Sequence, residues 1–377
     1  MNIPTQTLNH ICEVFGLPGE IVSTEIIGNG NINRTYDVLM EDGDIRTRYI
    51  FQSINTFVFK QPVGIMQNIA RITAHCGEKL RAMGESRDRV MHFMVRDNGD
   101  NYYIDGDAFW RVCEFVPNTV AYNASEDPAI LRAAGRAFGQ FQTMLADFDA
   151  TLLHETIPNF HNTKQRYLTL DEHIKADPVG RVASVRAEID TLADMREDAL
   201  RLCDMLERGE LPLRVTHNDT KINNVLFDAD TGREKTVIDL DTVMPGLVAY
   251  DFGDAIRFAG NRSAEDEKDL SLTGLDMERF TAFTEGFVGE LAATLTENER
   301  RTLALGVFVM TVELAVRFLD DYICGDQYFK LLYPEHNLVR TRCQIRLAQD
   351  VWSRLDQMND VVETIYKDAL KAHSCAQ

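Results

Sequence analysis

A change of residue pattern near Pro117 constrains the fold more than any other feature of this sequence. Before it, apolar and polar residues alternate in short runs, the pattern of half-buried strands. After it, apolar residues recur at helical spacing, first across residues 131–145. The change predicts an α+β protein with a small β-rich lobe over residues 1–113, a connector over 114–118, and a large helical lobe over 119–377. A cleft between two such lobes is a usual place for a ligand.

Shorter patterns within each lobe predict individual elements. The acidic turn at residues 41–44 separates two alternating runs and indicates a β-hairpin. The most apolar run, residues 303–316, is interrupted by Thr311 and Glu313, so we expect a buried helix there and no membrane span. Asp127 and Pro128 supply an N-cap and a first helical residue before the apolar run at 131–145. The predicted elements are helices over 8–15, 63–83, 128–145, 183–207, 277–291, 297–322 and 341–373, strands over 34–40, 47–54, 90–95, 101–104 and 108–115, and a short β-like stretch within 213–241.

The composition limits the classes of function. The chain of 377 residues carries a formal net charge of −20, which repels a phosphate backbone and disfavours nucleic-acid binding. Its seven cysteines are scattered and form no CxxC pair, so we expect reduced thiols and a cytoplasmic location. The first residues lack a basic stretch followed by an apolar one, so no secretory signal is expected. We also expect a monomer that binds no membrane.

The most informative segment, residues 214–258, carries spaced polar residues between short apolar strands. Asp219 follows His217 by two residues, and Asn224 follows Asp219 by five. An apolar strand, a turn and a second strand then lead to Asp239. A tight hairpin of this kind can bring Asn224 and Asp239 together.

These residue types match the needs of phosphoryl transfer. One acceptor must orient and deprotonate the attacking hydroxyl, and Asp219 is the candidate base. Oxygen ligands must hold Mg²⁺ against the phosphates of ATP, and Asn224 and Asp239 can supply them. Lys221 is the candidate cation near the transferred phosphate, with a solvated loop lysine as the alternative. The run HNDTKINN resembles the HxDxxxxN loop of protein-kinase-like phosphotransferases, and VIDLD resembles their magnesium-binding aspartate.

Polar neighbours of this set are expected to have supporting roles. We expect His217 to organise the loop rather than to transfer a proton. Asp251 is expected to brace the loop rather than to bind metal. For Asp241 two roles stay open, a second magnesium ligand and a brace of the hairpin.

The first lobe offers a candidate nucleotide loop and one departure from the kinase pattern. Gly28, Asn29 and Gly30 stand where glycines would let a backbone approach phosphates, with an ordinary hairpin turn as the alternative. Kinase-like folds usually carry a lysine on the third strand, paired with a glutamate on the next helix. Here the strand has Gln52, and the helix offers Gln67 rather than an obvious glutamate. Gln52 could hydrogen-bond a phosphate, but without charge.

Segments spread over most of the chain carry a family resemblance. They include GNGNINRTY (28–36), WRVCEFVPNTVAYN (110–123), LRVTHNDTKINN (213–224), VIDLDTVMPG (237–246), DFGDAIRF (251–258) and YPEHNLVRTR (333–342). On these segments the chain resembles the N-acetylhexosamine 1-kinases, a family within the aminoglycoside phosphotransferase and choline kinase group. The resemblance implies a protein-kinase-like two-lobe fold. It also implies Mg²⁺-dependent transfer of the γ-phosphoryl group of ATP to the anomeric C1 hydroxyl of N-acetylglucosamine or N-acetylgalactosamine.

The resemblance also implies which residues form the site. The family's base falls on Asp219, and its magnesium ligands fall on Asn224 and Asp239. An arginine and a tyrosine associated with sugar binding match Arg317 and Tyr328. The remaining candidates are Asn33 and Arg111 for the sugar, and Gly28, Asn29, Gly30, Gln52, Glu114 and Val116 for ATP.

Several alternatives stay open at this point. Another small-molecule kinase of the same fold could act on choline, homoserine, methylthioribose or an aminoglycoside, since an acidic surface also suits a cationic acceptor. A catalytically inactive nucleotide-binding protein is a second alternative, which Gln52 favours and the intact Asp219 set opposes. Without the resemblance, Arg317 could equally form a buried ion pair with Asp320 or Asp321.

Overall fold

The computed structural model describes residues 5–27 and 33–375, and it confirms the predicted two-lobe α+β fold. The first lobe is built on one antiparallel sheet that helices cover. Its elements are α1 (Thr5–Val14), β1 (Glu20–Ile26), β2 (Arg34–Asp42), β3 (Ile45–Ile54), α2 (Pro62–Met83), β4 (Tyr103–Asp105) and β5 (Ala108–Glu114). The strand order in the sheet is β1-β2-β3-β5-β4.

The β2–β3 hairpin is the one that the alternating pattern predicts. Gly43 closes its turn with φ +60°, a left-handed conformation that costs glycine little. Alternate residues of the central strands, such as Val38, Phe51 and Val112, are fully buried and pack with α1. The register places Gln52 of β3 opposite Thr35 of β2 on one side and opposite Arg111 of β5 on the other.

The second lobe is mainly helical and carries two small sheets. Its helices are α3 (Pro128–Met144), α4 (Thr163–Ala176), α5 (Arg186–Glu207), α6 (Val248–Ala259), α7 (Met277–Leu291), α8 (Glu297–Ile323), α9 (His336–Ser353) and α10 (Leu355–Cys375). One small sheet joins β6 (Thr119–Val120), β8 (Val225–Asp228) and β9 (Glu234–Val237), and the other pairs β7 (Arg214–Thr216) with β10 (Met244–Gly246). The division of the chain at residues 114–118 stays a prediction.

Close packing of helices gives this lobe its framework. Helices α3 and α7 cross so closely that a Cβ on Gly135 would lie 2.2 Å from the backbone oxygen of Phe283. Helix α8 has the length and apolar composition of a membrane-spanning helix, yet 89% of its most apolar window is buried inside the protein. Its polar residues are satisfied there, since the Thr311 hydroxyl donates to the backbone oxygen of Val307 at 2.7 Å. The expected buried helix is confirmed.

Two predicted elements are wrong in detail. Residues 90–95 do not form a strand. They run beside β5, where the N–H of Met94 donates to the oxygen of Val112 (2.9 Å) and Phe93 makes an isolated bridge. The predicted helix over 341–373 is two helices, α9 and α10, separated at Arg354. Both helices bury apolar residues of one continuous stripe, so the apolar spacing did not show the break.

Candidate active site

The loop between β7 and β8 carries Asp219, and a buried carboxylate holds its backbone. Asp251, in the first turn of α6, accepts hydrogen bonds from the backbone N–H groups of His217 (2.9 Å) and Asn218 (2.8 Å). These bonds help to hold Asn218 at φ +63°. The His217 ring donates from Nε2 to the oxygen of Ile238 (2.9 Å), which joins the loop to the strand end that precedes Asp239. The bracing roles expected for His217 and Asp251 are confirmed.

Asp219 is held on both sides by polar groups of its own loop. Nζ of Lys221 lies 2.7 Å from Oδ1 of Asp219, and Nδ2 of Asn224 donates to Oδ2 at 3.1 Å. Burial alone would raise the pKa of Asp219, but Lys221, His217 and the Asn224 amide outweigh it and lower the pKa below its ordinary value. Asp219 is therefore an ionised carboxylate at neutral pH, ready to accept a hydrogen bond from a hydroxyl.

Asp239 follows β9 and lies beside Asn224, as the hairpin spacing suggested. The N–H of Ile238 donates to the backbone oxygen of Asn224 at 2.9 Å, and Asp239 itself has φ +60°. Burial and the charges of Asp241 and Asp219 raise the pKa of Asp239 to about 7. Negative charge is thus crowded here, and a divalent cation would neutralise it.

The donor set around Asp239 fits Mg²⁺. The amide nitrogen of Asn224 also donates to the backbone oxygen of Asp219 at 2.8 Å, which leaves the amide oxygen as a possible metal ligand. Carboxylate and amide oxygens are the ligands that Mg²⁺ prefers in proteins. We take Asn224 and Asp239 as the residues that would hold the metal.

Asp241 is anchored by the first lobe. Its Oδ1 pairs with Nη1 of Arg111, and its Oδ2 accepts a hydrogen bond from Nδ2 of Asn33 at 2.7 Å. Nε of Arg111 donates in turn to Oε1 of Gln52 at 2.8 Å. The Arg111 and Asp241 side chains are each only 2% exposed. With both oxygens committed to this lobe, Asp241 is better suited to brace the site than to bind a second metal ion.

Sequence reasoning missed this pairing across the lobes. Arg111 and Asp241 are 130 residues apart, so no local spacing connects them. One signal was present, because β5 is apolar around Arg111 and a buried arginine requires an acidic partner. Nothing in the sequence identifies which of its 59 acidic residues that partner is.

The two residues matched to sugar binding come together at the end of α8. The guanidinium carbon of Arg317 lies 6.0 Å from the ring centroid of Tyr328 and 5.6 Å from that of Phe160. Tyr328 is 67% exposed, so its ring and hydroxyl are accessible from solvent. The structure thus brings Arg317 and Tyr328 together on one accessible surface, which we call the acceptor face.

Asp321 organises the acceptor face by binding backbone groups, a role that the sequence did not indicate. Its carboxylate accepts hydrogen bonds from the backbone N–H groups of Gln327 (2.8 Å), Tyr328 (2.8 Å) and Phe329 (2.9 Å). The side chain of Asn337 donates to it as well, at 2.8 Å. These donors occupy Asp321, and Asp320 bonds His173 instead. Within residues 5–27 and 33–375, Arg317 therefore forms no ion pair with either acid.

Hydrogen bonds connect the acceptor face to the catalytic loop. Glu313, one turn before Arg317 on α8, bonds Nδ1 of His161 at 2.9 Å. Nε2 of the same ring lies 3.3 Å from the backbone oxygen of Asn218, the residue before Asp219. Burial alone would raise the pKa of Glu313, but His161 and nearby arginines lower it. A charged acid therefore links the two parts of the site.

The residues expected to contact ATP are only partly described. Gly28, Asn29 and Gly30 lie outside the described residues, and their role stays a prediction. Glu114 ends β5, and the backbone oxygen of Val116 accepts a hydrogen bond from the Thr119 hydroxyl at 2.9 Å. The predicted contacts of Glu114, Val116 and Gln52 with ATP likewise stay predictions.

Comparison with known proteins gives the class of this protein. Residues 23–282 match the model of the APH phosphotransferase enzyme family, and the chain belongs to that family. A curated protein, D-psicose 3-epimerase from Agrobacterium fabrum, is 31% identical over 140 residues, which is 37% of this chain. The match spans 45% of that protein's length, less than half of it. So short a match does not carry the epimerase name to this chain.

Solved structures share the fold over nearly the whole chain. An aminoglycoside phosphotransferase from Alicyclobacillus acidocaldarius is similar with a TM-score of 0.60 and 15% identity, over 97% of each chain. A microcompartment-associated aminopropanol kinase is similar with a TM-score of 0.58 and 17% identity, over 94% of this chain and 98% of its own. A spectinomycin phosphotransferase, solved with ADP and spectinomycin, has a TM-score of 0.54 and 11% identity, over 92% and 98%. At these identities the likeness shows the fold alone.

Proposed function

We propose that this protein is an ATP-dependent kinase that phosphorylates the anomeric C1 hydroxyl of N-acetylglucosamine or N-acetylgalactosamine. The observation that carries the proposal is the ionised Asp219, held by Lys221 and Asn224 beside the candidate metal ligand Asp239. Membership of a phosphotransferase family supports the reaction type. The solved relative with bound ADP supports an adenine nucleotide as the donor. The resemblance of residues around Arg317 and Tyr328 supports the sugar.

The proposed reaction depends on positioning and charge. Asp219 orients the C1 hydroxyl and accepts its proton as the hydroxyl oxygen attacks the γ-phosphorus of ATP. The bond from that phosphorus to the β–γ bridging oxygen breaks, and ADP leaves with the electron pair. Mg²⁺, when bound by Asn224 and Asp239, shields the charge of the phosphates. Lys221 stays protonated, since the Asp219 charge raises its pKa, and can turn towards the transferred phosphoryl group.

An anomeric hydroxyl suits such a base. It is more acidic than an ordinary alcohol, so a carboxylate with a low pKa can still accept its proton during attack. The lowered pKa of Asp219 would be less effective towards a simple alcohol.

Hydrogen-bond donors at the acceptor face suit an N-acetylated sugar. Burial and the nearby charge of Arg317 lower the pKa of Arg166, while the acids Glu313 and Asp320 act in the opposite direction. Both signs of charge are therefore present at this face. The N–H groups of the two arginines are donors for the hydroxyl and carbonyl oxygens of such a sugar.

An amino alcohol acceptor is the second candidate. Two solved structures of the same fold carry the names aminopropanol kinase and Plasmodium vivax ethanolamine kinase, and the net charge of −20 attracts cations. Arg317 opposes this candidate, because its guanidinium carbon lies 5.6 Å from the ring centroids of Phe160 and Phe329 and 6.0 Å from that of Tyr328, so it occupies the rings that would bind a quaternary ammonium.

An acceptor panel tests the proposal. Purified protein is incubated with Mg-ATP and N-acetylglucosamine, N-acetylgalactosamine, glucose, choline, ethanolamine, homoserine, methylthioribose or an aminoglycoside, and ADP release is measured. We expect the highest kcat/KM with an N-acetylhexosamine. The matched control is the methyl glycoside of N-acetylglucosamine, whose blocked C1 oxygen should abolish turnover. Efficient turnover of that glycoside, or of an amino alcohol in preference to the sugars, would refute the anomeric assignment.

A further inference from the structure

Gln52 stands where kinase-like folds carry their nucleotide lysine, and its amide is already engaged. Its Nε2 donates to the Thr35 hydroxyl at 3.2 Å, and its Oε1 accepts from Arg111 at 2.8 Å. Gln52 thus connects a residue of β2 with a residue of β5. The Gln52 side chain therefore links two strands and supplies no positive charge for a phosphate.

The charge that Gln52 lacks is found on the neighbouring strand. Gln52 of β3 and Arg111 of β5 are direct partners in the antiparallel register. Directly opposed residues point their side chains to the same face of a sheet, with Cβ atoms about 5 Å apart. Arg111 therefore projects from the sheet on the side where a strand lysine at position 52 would project.

Arg111 also has the acidic partner that such a lysine needs. In kinases the strand lysine is paired with a glutamate on the next helix, and that pair must be in place for activity. Here the partner is Asp241, which lies in the short 3₁₀ helix Leu240–Thr242 just after Asp239 and not on the helix that follows β3. Both side chains are 2% exposed, so the pair is shielded from water and salt.

Asp241 further ties this pair to the end of the predicted nucleotide loop. Its second oxygen accepts from Nδ2 of Asn33, at 2.7 Å. Oδ1 of Asn33 accepts in turn from the backbone N–H of Asn55, at 3.0 Å. The ion pair is therefore located between the turn that bears Asp239 and the residue that follows the predicted loop.

We propose that Arg111 and Asp241 replace the lysine–glutamate ion pair of kinase-like folds. Arg111 takes the role of the strand lysine in binding the nucleotide phosphates, and Asp241 takes the role of its acidic partner. Nε and Nη1 of Arg111 hold the Gln52–Asp241 bridge, and Nη2 makes no hydrogen bond within the described residues. A guanidinium has five N–H donors, so the Nη2 donors can serve a phosphate while the bridge stays intact.

The assignment changes the expectation for Arg111 from the sugar to the nucleotide. It also removes the main reason to regard the protein as inactive, because the site keeps a cation in spite of Gln52. The inference rests on the proposed use of ATP and is independent of which acceptor is phosphorylated.

Nucleotide binding measured by calorimetry tests the proposal without turnover. ADP with Mg²⁺ and adenosine are titrated into the full chain and into Arg111→Met. Loss of a charged hydrogen bond should weaken ADP binding about 10- to 100-fold and leave adenosine binding unchanged. Arg111→Lys, which keeps the charge, should lose less. Arg46→Met, an exposed arginine of the same sheet, is the matched control and should bind both ligands normally.

A second variant covers the chance that Arg111→Met fails to fold. Arg111→Met combined with Asp241→Asn leaves no unpaired charge, and we expect it to fold and still bind ADP weakly. Normal ADP affinity in this double variant, or equal weakening of adenosine and ADP in Arg111→Met, would overturn the inference. So would a raised sugar KM with unchanged ADP affinity. Failure of the unmodified protein to bind ADP would instead refute the proposed kinase function.

Discussion

Two ion pairs flank the candidate site, and they are built in opposite ways. Lys221 and Asp219 meet within one loop, with side chains 36% and 27% exposed. Arg111 and Asp241 come from different lobes and are each 2% exposed. A partly exposed pair is worth less and can exchange partners, whereas separating a buried pair leaves an uncompensated charge. We therefore expect the loop pair to exchange partners when substrates bind and the buried pair to stay intact.

Removing the base should have the largest effect on turnover. Asp219→Asn keeps the size of the side chain but cannot accept a proton, so kcat should fall about 100- to 10,000-fold. ADP affinity should be unchanged, because the nucleotide contacts lie elsewhere in the proposed site. Steady-state kinetics and calorimetry measure the two effects, with Asp190→Asn on the surface of α5 as the control. If the variant keeps more than about a tenth of the wild-type kcat, the base is another group.

The difference between the two ion pairs should appear directly in stability. Arg111→Met leaves Asp241 buried without its partner and should lower the free energy of unfolding by about 3–5 kcal/mol. Lys221→Met removes a partly exposed pair and should cost less than about 1 kcal/mol. Urea unfolding in metal-free buffer compares the variants. Similar costs for the two substitutions would contradict the distinction between a mobile and a fixed pair.

The crowded acids predict an unusual pH dependence in the absence of metal. The folded pKa of Asp239 is about 7, above the ordinary carboxyl value of about 3.9 in the unfolded chain. The folded state therefore binds that proton more tightly, and the resulting stability is lost as the pH rises through this window. Thermal melts in EDTA should show a steeper loss for the wild type than for Asp239→Asn. Mg²⁺ should remove the difference near neutral pH, and equal slopes in EDTA would exclude this role of Asp239.

The smallest expected effect lies at the acceptor face. Asp321→Asn keeps the size of the side chain but weakens the hydrogen bond that it accepts from the backbone N–H of Tyr328. The acceptor KM should rise about tenfold, while kcat and the ATP KM change little. Asp320→Asn is a matched control, because Asp320 hydrogen-bonds His173 instead. An unchanged acceptor KM, or a selective change in the ATP KM, would place the acceptor elsewhere.

Local signals in the sequence predict much of this fold. Alternation and a glycine turn identify the β2–β3 hairpin, and Pro128 with its capping Asp127 marks the start of α3. Helix α6 was missed for a physical reason. Its polar residues Asp251, Asp254 and Arg257 recur at helical spacing, but all three are buried, so the segment lacks the solvent-facing polar side of the helices that the sequence does predict.

The candidate site also contains some contacts that the sequence predicts and others that it does not. The contact of Asn224 with Asp219 lies within one loop and follows from a spacing of five residues. Two other contacts depend on packing between elements. They are the ion pair of Arg111 with Asp241 and the hydrogen bond from the backbone N–H of Tyr328 to Asp321. A sequence shows that a buried charge needs a partner, but only the folded chain shows which residue provides it.

Identifying the product tests the central claim most directly. The product formed from Mg-ATP and N-acetylglucosamine can be analysed by NMR, which reports scalar coupling between phosphorus and the sugar carbons. We expect coupling of phosphorus to C1, and product formation about 100- to 10,000-fold slower with Asp219→Asn. A phosphate on C6, or formation of a C1 phosphate by Asp219→Asn at the wild-type rate, would contradict this account of the site.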